Sequence, residues 1–503
     1  MKKIKKLISE YRFVVLIAFA FALLVHLPLF TKNILTADVL LNTGYYSGYS
    51  WEISLGRFGL YINGILKSFL VIPQLDIFFS ILLFIGSIIL IFELFEIKNR
   101  WIQVLCAILV SVSPIVSSTF LFHYCSFSYS LAFFTSVLAI YLLVKSKHKF
   151  MKYVIPSFLI VLSLSMYQAY LAISLTLLLL WWMIQILKKK FYWKDFFISF
   201  GTIVLGTVFY FILMKLSLLV FHVDLSSYRG ASQFGIETIL AIPSRIIHAY
   251  QSFYQYYFTD IIVSNSNVFM QVFYIVMFIL LFIGICYSFY QNKISLKYSL
   301  LFILFLILIP VFINIIVIIL PDTEMQLLMS SGYLLIIFFV CYFMQDKKVF
   351  SILITFLFIF IIRGYIIQDS ATYQTLEHTY KKTYQIASDI RDEINKLGYN
   401  KQVLIAGSFN QNEYYNKEDS TELSSISKYT YGFVSNHPLF WEEYTNIKNG
   451  WSRFMEQELG TSITFVSYDA YQEILDSSEY QNMKCYPSKN SIQVIDDVIV
   501  IKF

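Results

Sequence analysis

Eleven long apolar stretches leave this chain few ways to fold. They lie near 12–30, 75–97, 101–122, 125–144, 153–166, 168–187, 196–220, 268–289, 298–320, 327–345 and 349–367. About 20 apolar helical residues cross the roughly 30 Å of bilayer hydrocarbon. In lipid only helices and closed barrels satisfy their own backbone groups. Unbroken runs of this length predict helices, so the expected fold is an α-helical polytopic membrane protein with about 11 transmembrane helices. Hydrophobic residues make up 58% of the 503 and charged ones 14%, against roughly 45–50% apolar in soluble domains. A soluble enzyme is excluded. The first stretch follows a lysine-rich start with no small-residue cleavage site, which fits a retained anchor rather than a removed signal.

The run "YVIPSFLIVLSLSMYQAYLAISLTLLLLWWMIQIL" is too long for one upright span. Lysines 145, 147, 149 and 152 precede it and lysines 188 to 190 and 194 follow it. Two short spans that turn at Tyr167-Gln168 put both basic clusters on one side, as the positive-inside tendency asks. The expected cytoplasmic segments 1–12, 98–100, 145–152, 188–194, 290–297 and 346–348 then carry 19 Lys or Arg. The long outer segments 31–74 and 222–267 carry only Lys32, Arg57, Lys67, Arg229 and Arg245. The expectation is a multi-pass plasma-membrane protein with a cytoplasmic N-terminus and both long loops outside.

Two domains follow: a membrane domain over 1–367 and an extracytoplasmic α/β domain over 368–503. From Asp369 to the end there are 19 acids and 12 bases, although the whole chain is +6. Residues 376–397 predict an amphipathic helix, "QVLIAGS" and "SITFVS" predict strands, and "DAYQEILDSS" predicts a helix. "SIQVIDDVIVIKF" predicts a hairpin or an edge turn at Asp496-Asp497. This domain shows no phosphate loop and no nucleophile motif. The five cysteines are scattered without ligand spacing, and neither a metal nor an organic cofactor is expected. The bases fall between apolar spans and form no nucleic-acid patch.

The first outer loop, "ILTADVLLNTGYYSGYSWEISLGRFGLYI", is polar where the chain meets the lipid surface. "RFGLYINGILKSFLVIPQ" then predicts an interfacial amphipathic helix. Such a loop can hold a lipid-linked substrate and an external one together. Nucleotide sugars and ATP are cytoplasmic, so an external transferase draws on lipid carriers. Glycosyl transfer from a polyprenyl phosphate needs a carboxylate as general base and cations for the departing phosphate. Asp38 is the first candidate base and also suits a helix cap. Glu52 is the second, or else a partner that holds Arg57. Arg57, Arg229, Arg245 and His123 are candidates for the phosphate, since guanidinium matches its geometry. Tyr167 and Gln168, at the tight outer turn, are candidates for a sugar hydroxyl or for closing the turn itself. A flippase or transporter of lipid-linked glycans predicts internal repeats and interrupted spans, and no convincing repeat is visible. A glycan polymerase predicts more outer arginines than these.

Asp38 in the first outer loop, "GRFG" at 56–59, "SMYQAY" at 165–170 and the closing "YPSKNSIQVIDDVIVIKF" resemble the Gtr type II membrane glucosyltransferases. The resemblance implies a GT-C type helical bundle with a catalytic acid in the first outer loop. It implies transfer of glucose or a similar hexose, with inversion, from a polyprenyl-phosphate donor to a cell-surface glycan. Donor-synthesising and flipping membrane proteins would be partners. Many members carry paired acids in that loop; here Ala37 precedes Asp38.

Overall fold

The computed structural model describes residues 2–42, 44–46, 48–228, 240–259, 268–320, 326–408, 439 and 442–503. It is 76% helical. Among the described residues, eight helices are long and apolar enough to cross a membrane, or nine if one bent pair counts as a span. Each of the eleven apolar stretches contains helix, but several depart from a straight span. The stretch near 101–122 bends by 46° between Arg100–Ser111 and Pro114–Phe120. Pro114 explains the break, because proline suits the first turn of a helix and not its interior. Near 298–320, helix Leu296–Ile313 ends and a short helix Ile315–Ile319 follows. The long run after residue 153 breaks at Tyr167, whose backbone is extended, before a tight turn at Gln168–Tyr170.

The chain divides into two compact units. The first holds residues 1–27 and 44–369. Its helices Pro73–Phe95, Ser126–Lys145, Ile155–Met166 and Trp193–Phe221 pack in succession. Several basic segments gather at one end. Glu96 pairs with Lys188 at 2.8 Å and Lys145 at 3.8 Å. The Lys98 backbone N–H donates to Gln345 at 2.7 Å. Lys189 and Lys293 line one cleft. The two long polar loops also meet, away from those lysines in sequence. The Ser226 N–H donates to the Ser54 carbonyl at 3.0 Å, and the Trp51 and Tyr228 rings lie 5.6 Å apart.

The second unit holds residues 28–43 and 370–503. The sequence places 28–43 with the membrane domain, yet Leu35, Val39 and Leu40 pack with Ile386, Ile390, Ile405 and Phe454. Apolar side chains from a distant segment fill this core, and no local pattern announces such a partner. The amphipathic helix expected over 376–397 belongs to one helix, Lys348–Gly398, because nothing between residues 367 and 376 breaks it. Strands β1 (Val403–Ala406), β2 (Ile492–Ile495) and β3 (Val498–Lys502) form a sheet with β3 central, parallel to β1 and antiparallel to β2. Asp496 and Asp497 both have positive φ, 48° and 62°. A two-residue hairpin turn of this hand requires that conformation at both positions, and Asp tolerates it. "SITFVS" forms a single bridge, Phe465 to Val403, rather than a strand.

Candidate active site

The first loop builds a partly buried ion pair from local turns. Glu52 lies in helix Tyr49–Ser54 and is 3% exposed. The chain then turns at Gly56, where φ is +78°, and starts helix Phe58–Leu66 with Arg57 at its N-cap. The turn returns Arg57 toward the preceding helix, and its backbone N–H reaches the Glu52 carbonyl at 2.8 Å. The expected interfacial helix is shorter than the sequence suggests: it stops at Leu66, and Ser68 and Phe69 take left-handed backbone. Its Ile62, Ile65 and Leu66 side chains are exposed while Leu60 and Asn63 are buried, so the amphipathic character holds over nine residues.

Two side chains from distant helices clamp the turn. Gln168 donates through Nε2 to the Leu55 carbonyl at 2.6 Å and to the Tyr210 hydroxyl at 2.9 Å. Tyr210 donates to the Gly56 carbonyl at 3.1 Å. A Cβ on Gly56 would lie 2.7 Å from the Tyr210 oxygen and 2.8 Å from the Met214 sulfur. Gly59 is as tightly enclosed: its Cβ would come within 2.9 Å of the Ser165 backbone. The two glycines of "GRFG" thus have separate duties, one for the turn and one for close helix packing. Gly56→Ala is expected to cost on the order of 1–3 kcal/mol through backbone strain and crowding. Thermal unfolding of the purified protein in detergent reads this, and a wild-type midpoint would refute the constraint.

Arg57 sits among aromatic rings. Its Nη1 lies 3.4 Å from Glu52 Oε2 and 3.4 Å from the Tyr129 hydroxyl. The guanidinium stands 5.1 Å from the centre of the Tyr167 ring, and Tyr167 stacks on Tyr129 at 4.4 Å. Cation–π attraction is strongest where water is excluded. Burial works against the charge, but Tyr129, Glu52 and Tyr167 more than offset it and hold the guanidinium well above its ordinary pKa. Both polar contacts are long for hydrogen bonds. The Arg57 Nε is buried and has no hydrogen-bond partner among the described residues. A buried donor left unmade costs about 1–3 kcal/mol, so this nitrogen is suited to an oxyanion. Tyr46 adjoins the pair: burial first, then Glu52, pushes its phenol well above the usual value.

The other sequence candidates are placed differently. Asp38 lies in the second unit, in the first turn of the short helix Ala37–Leu40, which Thr36 caps by accepting from the Val39 N–H at 3.3 Å. Ala37, Val39 and Leu40 are buried, and Asp38 between them is half-buried. His123 is buried in the turn before helix Ser126–Lys145, and its Nε2 has no partner among the described residues. Burial lowers its pKa to about 4, so at neutral pH it offers a hydrogen bond rather than a charge. Arg245 donates through Nη1 to the Ile318 carbonyl at 3.1 Å, and no described contact joins it to Arg57. Arg229 lies outside the described residues. Tyr46, Tyr129 and Tyr210 were missed, because nothing in their spacing sets them apart among 38 tyrosines.

A family model described as glucosyl transferase GtrII matches residues 27–343. The chain belongs to the GtrII glucosyl transferase family. The matched span includes Asp38, Glu52, Arg57, His123, Tyr167, Gln168, Arg229 and Arg245. No match was found among curated proteins or among solved structures. As a GtrII family member with apolar helices long enough to span a bilayer, the protein is a membrane glycosyltransferase.

Proposed function

We propose that this GtrII family member moves glucose, with inversion, from a polyprenyl-phosphate carrier to a cell-surface glycan on the outer side of the plasma membrane, within a GT-C type architecture. The observation that supports a phosphate-bearing donor is the half-buried Arg57, whose buried Nε has no partner among the described residues and whose other contacts are long. In the proposed reaction the acceptor hydroxyl oxygen attacks the anomeric carbon and its proton passes to the Asp38 carboxylate. The bond from that carbon to the phosphate oxygen breaks, and the bonding pair leaves with the phosphate. Arg57 meets the growing negative charge. Glu52 holds Arg57 in place and is the alternative base. Tyr167 and Gln168 support the same turn, with Tyr167 under the guanidinium and Gln168 on Leu55.

The test is transfer by the purified full-length protein. Synthetic polyprenyl-phosphate glucose and a panel of surface glycans are supplied in detergent, with UDP-glucose as a separate donor. Mass spectrometry should find one hexose added from the lipid donor alone. Addition from UDP-glucose, or relocation of a glycan without added mass, would overturn this reading. The outer placement has its own check. Cys485 is exposed, and as the only cysteine in a variant it should react with an impermeant thiol reagent on intact cells. A variant whose only cysteine is at Ser146→Cys should not react. The reverse pattern would put the C-terminal unit in the cytoplasm.

A further inference from the structure

The basic end of the first unit carries a cleft that the transfer chemistry leaves unused. It encloses about 220 Å³ and is lined by Ile186, Lys189, Phe191, Lys293, Ser295 and Tyr298. Lys189 follows helix Leu171–Leu187 and Lys293 follows helix Val268–Asn292. Both lysines have left-handed backbone, with φ of 58° and 46°. Each helix therefore turns sharply at its end, and the two lysines reach one cleft.

The charge in this cleft is not balanced. Lys188, which precedes Lys189 in the chain, and Lys145 both pair with Glu96. Among the described residues, neither Lys189 nor Lys293 takes part in an ion pair, and no carboxylate lines the cleft. Two like charges beside one cavity repel each other, and an anion between them relieves that repulsion. Ser295 precedes helix Leu296–Ile313, and its hydroxyl makes no capping bond there. It adds a hydroxyl to the same wall.

The surroundings say what kind of anion fits. Leu296 is 76% exposed and Leu300 59%, on the helix that leads away from the cleft. Tyr192, Trp193 and Tyr290 are exposed nearby in sequence. Exposed aromatic rings at the border between an apolar flank and a charged end mark the membrane interface. A free phosphate would use the lysines and ignore the apolar flank, whereas a lipid uses both.

The geometry points to a binding site for the phosphate of an anionic phospholipid, held by Lys189 and Lys293, with its acyl chains along Leu296 and Leu300. The site does not depend on the proposed transfer reaction. The ligand's headgroup accepts hydrogen bonds from both ammonium groups and from Ser295. Lysine near an anionic lipid surface contributes through simple electrostatics.

The test uses the full-length protein in neutral detergent, with phosphatidylglycerol and phosphatidylcholine of matched chains as probes and native mass spectrometry as the readout. The wild type should retain phosphatidylglycerol over phosphatidylcholine by on the order of 10- to 30-fold. Lys189→Ala/Lys293→Ala should bring the two lipids near parity. The corresponding double arginine variant should keep the preference, and each single alanine variant should lose part of it. An unchanged preference in the double alanine variant would overturn the site. Displacement of phosphatidylglycerol by millimolar inorganic phosphate would overturn the lipid assignment, because the acyl contacts would then count for nothing. Both lysines are exposed, so the melting temperature without lipid should stay near wild type.

Discussion

Asp38→Asn should transfer sugar about 10²- to 10⁴-fold more slowly than the wild type, the usual worth of general acid–base catalysis. Asparagine keeps the size and hydrogen bonding of the side chain but cannot take the acceptor's proton. The fold should survive, because the helix around Asp38 is anchored by its neighbours. Ala37 and Leu40 are fully buried, Val39 is nearly so, and Thr36 supplies the cap. Asp38 itself is only half-buried. The measurement is kcat with saturating donor and acceptor, beside a donor-binding titration that should be unaltered. Asp38→Glu keeps the chemistry but displaces the carboxylate, and a trace of activity should remain. A near wild-type rate for Asp38→Asn would remove Asp38 from the mechanism and move the test to Glu52→Gln.

Arg57→Ala should weaken donor use by roughly 10- to 150-fold, the equivalent of losing about 1.5–3 kcal/mol from a hydrogen bond to a charged group. The single variant has a second consequence. It leaves Glu52, 3% exposed, without its cation. Removing one partner of a buried pair destabilises strongly. The informative variant is therefore Glu52→Gln/Arg57→Gln, which removes both charges and leaves hydrogen-bonding groups of similar size. It should melt higher than Arg57→Ala and still show the raised KM for the polyprenyl-phosphate donor. Recovery of donor use in the double variant would make the pair a structural device only. Arg57→Lys separates charge from shape. A lysine keeps one positive charge but cannot present a planar fork to phosphate while lying over the Tyr167 ring, so it should restore only part of the loss.

The two variants probe features that were unequally legible. "GRFG" stands before an expected interfacial helix, and the chain starts a helix at Phe58 after a turn at Gly56. Glycine spacing carries that information locally. The partnership of Glu52 with Arg57 was also open to reading, because five residues and one turn separate them. Tyr129 and Tyr210 were not legible. They reach Arg57 and Gly56 across 72 and 154 residues, and no periodicity within their own helices marks the tyrosine that faces a distant turn. Gln168 stands out in the sequence because it sits at a break between apolar runs. Its use as a clamp on Leu55 became visible only when the two loops came together.

Local forces account for what the sequence determined by itself. Apolar length committed the chain to membrane helices, because a backbone in lipid must satisfy its own hydrogen bonds. Paired aspartates between apolar runs called for a turn at 496–497, hairpin or edge, because few residues tolerate positive φ twice in succession. The tertiary structure alone decided that residues 28–43 join the C-terminal core, and that Arg57 keeps one buried nitrogen without a partner among the described residues. Both depend on side chains far apart in the chain competing for the same space. Burial then set their electrostatics: in a low dielectric the partners within a few ångströms decide the charge state and the strength of each contact. Sequence spacing does not record which partners those are.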